Sequence, residues 1–524
     1  MNSQNLMISD ITFVGCGIAT SFTLLNLVTK IDPHNTHEVI NIRIIDKYPE
    51  FFSGIPYGRR SGGSVLLINS LRNFLPDPER SMFISWLKIH KTSLIEDFIK
   101  AGGVKSVEWV NNYSEEINRD TWEDLFVPRV FFGKYISEKV TLALEKAEKK
   151  GLVKIEYTVA KVIDVQKVNN IFDVLLEDGK CFKSNKVVLS LGSLPTKKLN
   201  SNIDDNNNSF LLIDDIYNQE LLSNLGHIEN FLSSRKGMQN NVLVIGANAS
   251  ALEIIYKLND EEHIGNSITN FIILSTHGLI PDSEVNEEKR KDFIPKNLHK
   301  LQVVKEITAQ EIAEAAFQDL EEAKKMNLGA ASTVDIISSA FGVLLHKLPK
   351  QELKNFACFY GNEIGRLQRC AGRHYTDVVQ GLKENNRVEH LSGKYHELIG
   401  SENDGVNLEY LDTKSQKIKR HSKNINLIIN CIGSTNFDSD SIPLILKNLV
   451  SKGLCIPNDS KIGIHVNNKL EASEGLFLAG PLLAGNVINN KPVWHVEHCG
   501  RIIWLSEILA NNIATSLRES KIKC

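Results

Sequence analysis

Along the first fifty residues the apolar positions change period. Ile11, Thr12, Phe13 and Val14 form a short buried-strand pattern that stops at Gly15, and Ile18, Phe22, Leu25 and Val28 then recur at helical spacing. A second apolar run, Ile42 to Ile45, ends on Asp46. The order predicts strand, glycine turn, helix and strand, with an acid at the tip of the second strand. The pattern returns at Val242 to Ile245, with Gly246 as the turn and Ala251 to Leu258 as the helix. Two such units predict an α/β chain with two Rossmann-like dinucleotide-binding domains.

Two further runs, Lys186 to Leu191 before Gly192 and Asn426 to Ile432 before Gly433, read as strands that return the chain to a sheet. Ser201 to Ser209 is the most polar stretch and reads as a surface loop between lobes. From Thr308 to about Leu382 the period is helical. Thr308 and Glu311 have capping-box spacing, and Ser332 with Asp335 is expected to open a second helix in the same way. Such a helical insertion in an α/β chain either shapes a substrate pocket or lid, or covers the fold without touching chemistry. The expected division is residues 1–200 for the first part of an FAD-binding domain and 237–304 for the first part of an NAD(P)-binding domain. Residues 305–385 form the helical insertion, 386–424 the second part of the NAD(P) domain and 425–524 the second part of the FAD domain.

The 524 residues are enough for about three lobes. A formal net charge of −3 gives no reason to expect nucleic acid or an anionic membrane as partner. The eight cysteines contain no C-x-x-C pair, which argues against a zinc knuckle or a dithiol redox centre and fits a reducing compartment. With no signal-peptide pattern and no 18-residue apolar run, a cytoplasmic location is expected.

In Gly15-Cys16-Gly17-Ile18-Ala19-Thr20, Gly15 permits the tight turn and Gly17 lets backbone amides approach a pyrophosphate at the helix N-terminus. Thr20 replaces the usual third glycine or alanine, which relaxes the rule for close helix-strand packing without touching the phosphate approach. Asp46 stands where a ribose hydroxyl needs an acceptor. A glycine turn of structural use alone would show the same pattern. In the second unit, Gly246-Ala247-Asn248-Ala249-Ser250-Ala251, Asn248 takes the place of the second glycine, and its side chain occupies space that a pyrophosphate would fill. Ser275-Thr276-His277-Gly278 follows the next strand without an arginine to clamp a 2′-phosphate, so either His277 serves in part or the cofactor is NADH.

Leu476 to Gly480 reads as a strand ending in a turn, and Pro492 is expected to start a helix that runs to about Ala510. Its N-terminus would favour the negative charge of a reduced flavin, which makes Gly480 and Trp494 cofactor-binding candidates. His495 and His498 lack a third partner for metal, and no metal is expected. Arg366, Arg369 and Arg373 would share one helix face, able to hold a carboxylate substrate or a cofactor phosphate, although a solvated face is the commoner outcome. Arg373-His374-Tyr375 reads as structural, and no catalytic residue is identified.

With these pieces in order, the chain resembles the FAD/NAD(P)-binding flavoproteins with two dinucleotide folds, related to the flavin-dependent N-hydroxylating monooxygenases. Leu66-Leu67-Ile68-Asn69-Ser70 with Met82 to Leu87 is similar to that family's flavin-flanking loop and helix, and Pro128-Arg129 to Tyr135 to its proline-arginine-to-tyrosine segment. Leu189 to Gly192 and Asn430 to Gly433 resemble its two strand-to-glycine returns, while Ser275 to Pro281 lacks both arginines of the family's corresponding stretch. The resemblance implies tightly held FAD, with Asn69, Arg129, Gly192 and Gly433 added to the cofactor contacts. It also implies reduction by NAD(P)H, and reaction with dioxygen to a flavin hydroperoxide that oxygenates a small amine or amino acid. A flavin-dependent reductase or oxidase without oxygen insertion, or a flavin-binding scaffold whose nicotinamide site is inert, are the alternatives, and Asn248 speaks for the last. Oligomeric state is not legible.

Overall fold

The computed structural model describes residues 8–31, 39–200, 209–217, 220–401 and 404–522. The expected loop Ser201 to Ser209 lies, except for Ser209, outside the described residues.

The chain opens with β1 (Ile11–Val14), α1 (Ile18–Lys30) and β2 (Ile40–Asp46). After a run of helices come α2 (Arg129–Lys149), β3 (Val153–Val159) and β4 (Val187–Leu189). β5 (Leu211–Ile213) begins a second sheet, followed by β6 (Asn241–Ile245), α3 (Ala249–Asp260) and β7 (Asn270–Ser275). The insertion contains α4 (Ala309–Lys325) and α5 (Ala330–Leu345). β8 (Val388–Gly400), β9 (Val406–Asp412), β10 (Ile418–Arg420) and β11 (Leu427–Asn430) complete the second sheet. β12 (Glu471–Ser473), β13 (Leu476–Leu478) and α6 (Cys499–Ile522) return to the first.

The first sheet has the order β12-β13-β4-β1-β2-β3, with every pair parallel except β12 to β13. Phe13 lies opposite both Ile44 and Val188, so the uniformly apolar strands are buried on both faces, as a parallel sheet under helices requires. The second sheet has the order β10-β9-β8-β7-β6-β11-β5. Its five strands β5, β11, β6, β7 and β8 are parallel, and the far half of the long β8 turns outward to pair antiparallel with β9.

β11 corrects the expected division at residue 425. Ile428 lies opposite Leu243 and Leu212, which puts 427–430 in the second sheet and moves the return to the first fold beyond it. The two crossing chains are tied together on the way: Lys197 donates its N–H to the carbonyl of Gly433 at 2.9 Å, and Thr435 to that of Pro195 at 2.8 Å.

The insertion has its own core, in which Leu298, Ile312, Ile337, Leu344, Phe356 and Ile364 are buried together. It is closed by a neck where Ala371 N–H donates to the Asp282 carbonyl at 2.9 Å. Thr308 and Glu311 form the expected capping box on α4. α5 differs. Gly329 is its N-cap residue, the Asp282 carboxylate accepts from Ala331 N–H at 3.1 Å, and Ser332 instead accepts from Asn286 N–H. Arg373–Glu384, expected within the insertion, buries Tyr375, Val379 and Leu382 in the main core.

Candidate functional site

Gly15, Asp46, Gly192 and Gly480 come together at the carboxyl ends of β1, β2, β4 and β13, and Gly246 and Gly433 stand at the ends of β6 and β11. This is the edge at which doubly wound sheets take ligands. Gly15 has φ +94°, and a Cβ there would overlap the Ser190 carbonyl beyond β4. Gly246 has φ +118°, and a Cβ there would overlap the Cys431 carbonyl beyond β11. The fold therefore requires both turn glycines whether or not a ligand binds.

The next position separates structure from binding. Gly17 caps α1 with φ −96° and ψ −165°, extended backbone open to any residue, and a Cβ there would meet only Gly54 Cα at an ordinary 3.6 Å. Asn248 caps α3 with nearly the same backbone, φ −88° and ψ −168°. It thus needs no left-handed conformation, and its side chain does not cap its own helix. Neither helix start has a side-chain cap, so both point free N–H groups and a positive dipole end outward. At Gly17 no side chain stands beside those groups, whereas the equivalent residue of the second loop, Asn248, carries an amide side chain.

Thr20 braces the turn. Its side chain is fully buried and its hydroxyl donates to the Gly15 carbonyl at 2.7 Å. The Asp46 carboxylate accepts from Cys16 N–H at 2.7 Å and from Tyr48 N–H at 3.0 Å. It therefore braces the loop while each oxygen keeps a second lone pair for a ribose hydroxyl. A segment not singled out in the sequence lies over this turn: Phe52 N–H donates to the Cys16 carbonyl at 2.8 Å, and Ser21 Oγ to the Phe52 carbonyl at 2.7 Å. Phe52 has φ +77°. Gly480 closes the other side, facing Ala19 in the first turn of α1, where a Cβ would come within 3.5 Å of the alanine methyl.

The loop carrying Asn69 and the segment carrying Arg129 are joined, because Arg129 N–H donates to the Val65 carbonyl at 2.9 Å and Leu67 N–H to that of Val127 at 2.8 Å. Asn69 is half-buried. The Arg129 side chain is not turned to a cofactor, however. It forms a buried ion pair with Glu253 of α3, which also accepts from the Tyr217 hydroxyl. Burial opposes the arginine's charge, yet Glu253 holds its pKa above the ordinary value. A second buried pair, Lys257 with Asp260 at 2.7 Å, lies on the same helix. The Asp260 carboxylate accepts from the N–H groups of Gly103, Lys105 and Ser106, capping the helix Val104–Asn112. Helix α3 of the second fold is thereby clamped to the helices of the first. Sequence reasoning missed both clamps, since each joins residues more than a hundred positions apart.

At the end of β7, Ser275 Oγ lies 2.7 Å from His390 Nε2, and burial pushes the His390 pKa down. His277 is exposed. Ser250 is half-buried and Ala251 fully buried in the first turn of α3.

The expected arginine face is not formed. Arg366 ends the helix Gly361–Leu367, Arg369 lies in the break after it, and Arg373 opens the next helix and pairs with Asp377 at 3.5 Å. Gly372, with extended backbone, interrupts the continuous helix that would have aligned them. Pro492 likewise does not start a helix: Lys491–Val493 pairs with Asn486–Ile488 as a hairpin, and α6 starts at Cys499. His498 serves that start, its Nδ1 accepting from Gly500 N–H at 3.1 Å and its Nε2 lying 3.0 Å from the Asn73 carbonyl. Trp494 packs on the insertion core. Among the described residues no cluster of three or more His, Cys, Asp or Glu side chains could hold a metal, and no helix is long and apolar enough to cross a membrane. Cavities of about 350 Å³ beside Phe98 and Phe131, and of about 370 Å³ beside Phe293 and Val343, include no glycine-loop residue.

Residues 12–194 match the sequence profile of the FAD-NAD(P)-binding family, so the first fold is an FAD-NAD(P)-binding domain. Uncharacterised proteins of Mycobacterium tuberculosis and Mycobacterium bovis are 27% identical over 517 residues, covering 97% of this chain and 96% of theirs. The fold is shared with three solved enzymes. The FAD-bound cadaverine monooxygenase of Erwinia amylovora has TM-score 0.55 and 13% identity, covering 97% of this chain and 94% of its own. An ornithine N-hydroxylase of Kutzneria has TM-score 0.52 and 13% identity, covering 98% and 100%. The L-lysine 6-monooxygenase of Pseudomonas syringae has TM-score 0.51 and 14% identity, covering 98% and 99%.

Proposed function

We propose that this protein is an FAD-dependent, NAD(P)H-using oxidoreductase that hydroxylates the nitrogen of a small amine or amino acid. The observation that carries the flavin part is Gly17. Neither its backbone angles nor its neighbours require glycine, and an N-cap side chain would stabilise α1. A bare backbone at that point suits a pyrophosphate brought against the helix N-terminus. The reaction class is supported by the shared architecture over nearly the whole chain with cadaverine, ornithine and lysine hydroxylases.

In this reading Gly17 and the first turn of α1 hold the FAD pyrophosphate. Asp46 accepts a ribose hydroxyl, and Thr20 keeps the Gly15 turn closed. When bound, FAD supplies the redox chemistry, accepting hydride equivalents from the nicotinamide cofactor and using dioxygen to oxidise the substrate nitrogen. The N-terminus of α3 holds the nicotinamide cofactor's pyrophosphate, with the Asn248 amide as a donor in place of open space. The Arg129–Glu253 ion pair and the bonds from the Gly103, Lys105 and Ser106 N–H groups to Asp260 keep that helix fixed against the first fold.

The test uses purified protein with its flavin spectrum recorded. NADH and NADPH are titrated anaerobically, and oxygen is then admitted with L-ornithine, L-lysine, putrescine or cadaverine. Reduction by both nucleotides with similar efficiency is expected, because no arginine stands in Ser275 to Gly278, followed by hydroxylamine product in step with nucleotide consumed. Reduction that yields hydrogen peroxide with every amine would replace this reading by a reductase or oxidase. No reduction by either nucleotide would make the second site inert.

A further inference from the structure

Sheet register lays the two glycine loops on one another. In the first fold Val14 of β1 lies opposite Ile45, and Gly15 N–H donates to the Ile45 carbonyl at 2.8 Å. In the second fold Ile245 of β6 lies opposite Leu274, and Gly246 N–H donates to the Leu274 carbonyl at 2.8 Å. Asp46 follows Ile45 and Ser275 follows Leu274, so Ser275 stands in the second fold where Asp46 stands in the first. An acid at this place accepts from a ribose 2′-hydroxyl and repels a 2′-phosphate. The serine hydroxyl exchanges hydrogen bonds with either group and repels neither.

What Ser275 offers is set by its neighbour. Its hydroxyl lies 2.7 Å from Nε2 of His390, which stands opposite Ile273 on β8, the next strand of the sheet. Both residues are half-buried, so each keeps solvent-accessible surface. The loop beyond Ser275 is fixed: Thr413 Oγ1 donates to the Thr276 carbonyl at 2.8 Å, Thr413 N–H donates to the Ser392 carbonyl at 3.1 Å, and a Cβ on Gly278 would overlap Ser392. His277 is exposed in that loop. Burial lowers the His390 pKa, and Lys383 of the helix Arg373–Glu384 adds repulsion. The other charged groups nearby are engaged or point to solvent. Glu389, on the opposite face of β8, lies 3.1 Å from His421 Nε2, and Arg387 donates to the Gly265 and Ile268 carbonyls at 2.6 Å. Glu384 and Lys394 are exposed. Among the described residues no carboxylate pairs with His390.

We infer that His390, acting through the Ser275 hydroxyl, is a pH-dependent selector between the two nicotinamide cofactors. Neutral His390 accepts from the Ser275 hydroxyl, whose oxygen then accepts from a ribose 2′-hydroxyl. Protonated His390 donates to Ser275 Oγ, the serine hydroxyl turns to donate to a 2′-phosphate, and the imidazolium supplies the positive charge that Ser275 to Gly278 lacks. Binding of the 2′-phosphate is thereby linked to proton uptake at His390, so preference for the phosphorylated cofactor grows as pH falls. Near neutral pH the ring is uncharged and the two cofactors differ little. The inference rests on the proposed nicotinamide site and deepens it by naming the residue that reads the 2′ position.

Calorimetric titration of the oxidised, FAD-loaded protein with NAD+ and NADP+, which differ only in the 2′-phosphate, gives the affinity ratio at a series of pH values. The ratio should rise in favour of NADP+ by at least about fivefold from about pH 8 to about pH 6. His390→Gln keeps a hydrogen-bonding partner for Ser275 without the charge and should flatten that rise. The phosphate's own titration is the same in both proteins, so the difference between them reads His390. Ser275→Asp copies Asp46 into the second fold and should favour NAD+ by about tenfold or more. A ratio that does not move with pH, a rise that survives in His390→Gln, or no saturable binding of either nucleotide would overturn the inference. A preference for NADP+ that is constant with pH and lost in Lys383→Gln would assign the reading to that lysine and overturn it too. A His390-dependent rise in a protein whose flavin neither NADH nor NADPH reduces would leave the selector standing and refute the proposed reaction. Hydroxylation supported by both cofactors with a pH-independent ratio would do the opposite.

Discussion

The two glycine loops make a matched experiment, because Gly17 and Asn248 have the same backbone and different side chains. Replacing Gly17 by Asn copies the second loop into the first. For the folded chain the change is mild: φ −96° is open to asparagine, the added Cβ meets Gly54 at 3.6 Å, and asparagine caps a helix at least as well as glycine. Apoprotein stability should stay within about 0.5 kcal/mol of wild type. For the cofactor the change is large. A side chain at that point holds the pyrophosphate off the N–H groups of the first turn, and each charge-assisted hydrogen bond lost costs roughly 1.5–3 kcal/mol. Losing one or two gives about 3 kcal/mol, a fall in FAD affinity of about a hundredfold or more. The assay pairs visible flavin absorbance per protein with the thermal midpoint of the apoprotein. Colourless, stable protein is the expected result. A Gly17→Asn protein that purifies with its full FAD would refute the reasoning, and one that is unfolded would show that the glycine serves the fold. The converse variant, Asn248→Gly, should raise nicotinamide affinity severalfold and leave FAD content as it was.

Two buried histidines should make the protein acid-sensitive. His374, with both ring nitrogens unpartnered, and His495 have pKa values pushed down to about 3, chiefly by burial. The unfolded chain binds a proton at each below about pH 6.5 and the folded chain does not until about pH 3, so stability is lost progressively as pH falls between those values. At about pH 5 each costs roughly 2 kcal/mol. His374→Phe should cut the difference in urea stability between about pH 8 and pH 5 by that amount, and an unchanged difference would remove His374 from the account. Arg129→Met leaves Glu253 buried without its partner and should cost about 3–5 kcal/mol, with Arg129→Met/Glu253→Leu recovering much of it. A thermal midpoint unmoved by the single change, or loss of FAD with the midpoint intact, would show that Arg129 serves the cofactor after all.

What was legible in the sequence was what short-range pattern dictates. Strand, glycine and helix follow one another within a few residues at Gly15 and at Gly246, and the Thr308 capping box closes over four positions. Sheet membership is a different kind of fact. The run before Gly433 looks the same whichever sheet it joins, and only the distant pairing of Ile428 with Leu243 and Leu212 assigns it. The arginine face failed on the break at Gly372, and the Pro492 helix on a hairpin that uses proline at a strand position.

Glu253 shows how a buried acid can serve the docking of two folds where the local pattern alone points to a nucleotide site. An acid in the first turns of a helix that follows a glycine loop suggests a working nucleotide site, because the local pattern contains nothing else for it to do. Its partners, Arg129 and Tyr217, come from the segment after residue 127 and from the entry to the second sheet. Their pairing is therefore a statement about how two folds dock. An ion pair with one side chain 2% exposed and the other 13% exposed resists separation, since parting the folds would leave a buried charge without its counter-ion. Lys257 and Asp260, more deeply buried still, would stay paired on α3, but parting the folds would strip the Asp260 carboxylate of the Gly103, Lys105 and Ser106 N–H groups from which it accepts. The positive end of α3 is in this way fixed relative to the first sheet, so a nicotinamide cofactor held there as proposed would have to reach the flavin by its own conformation, with little rotation of one fold against the other.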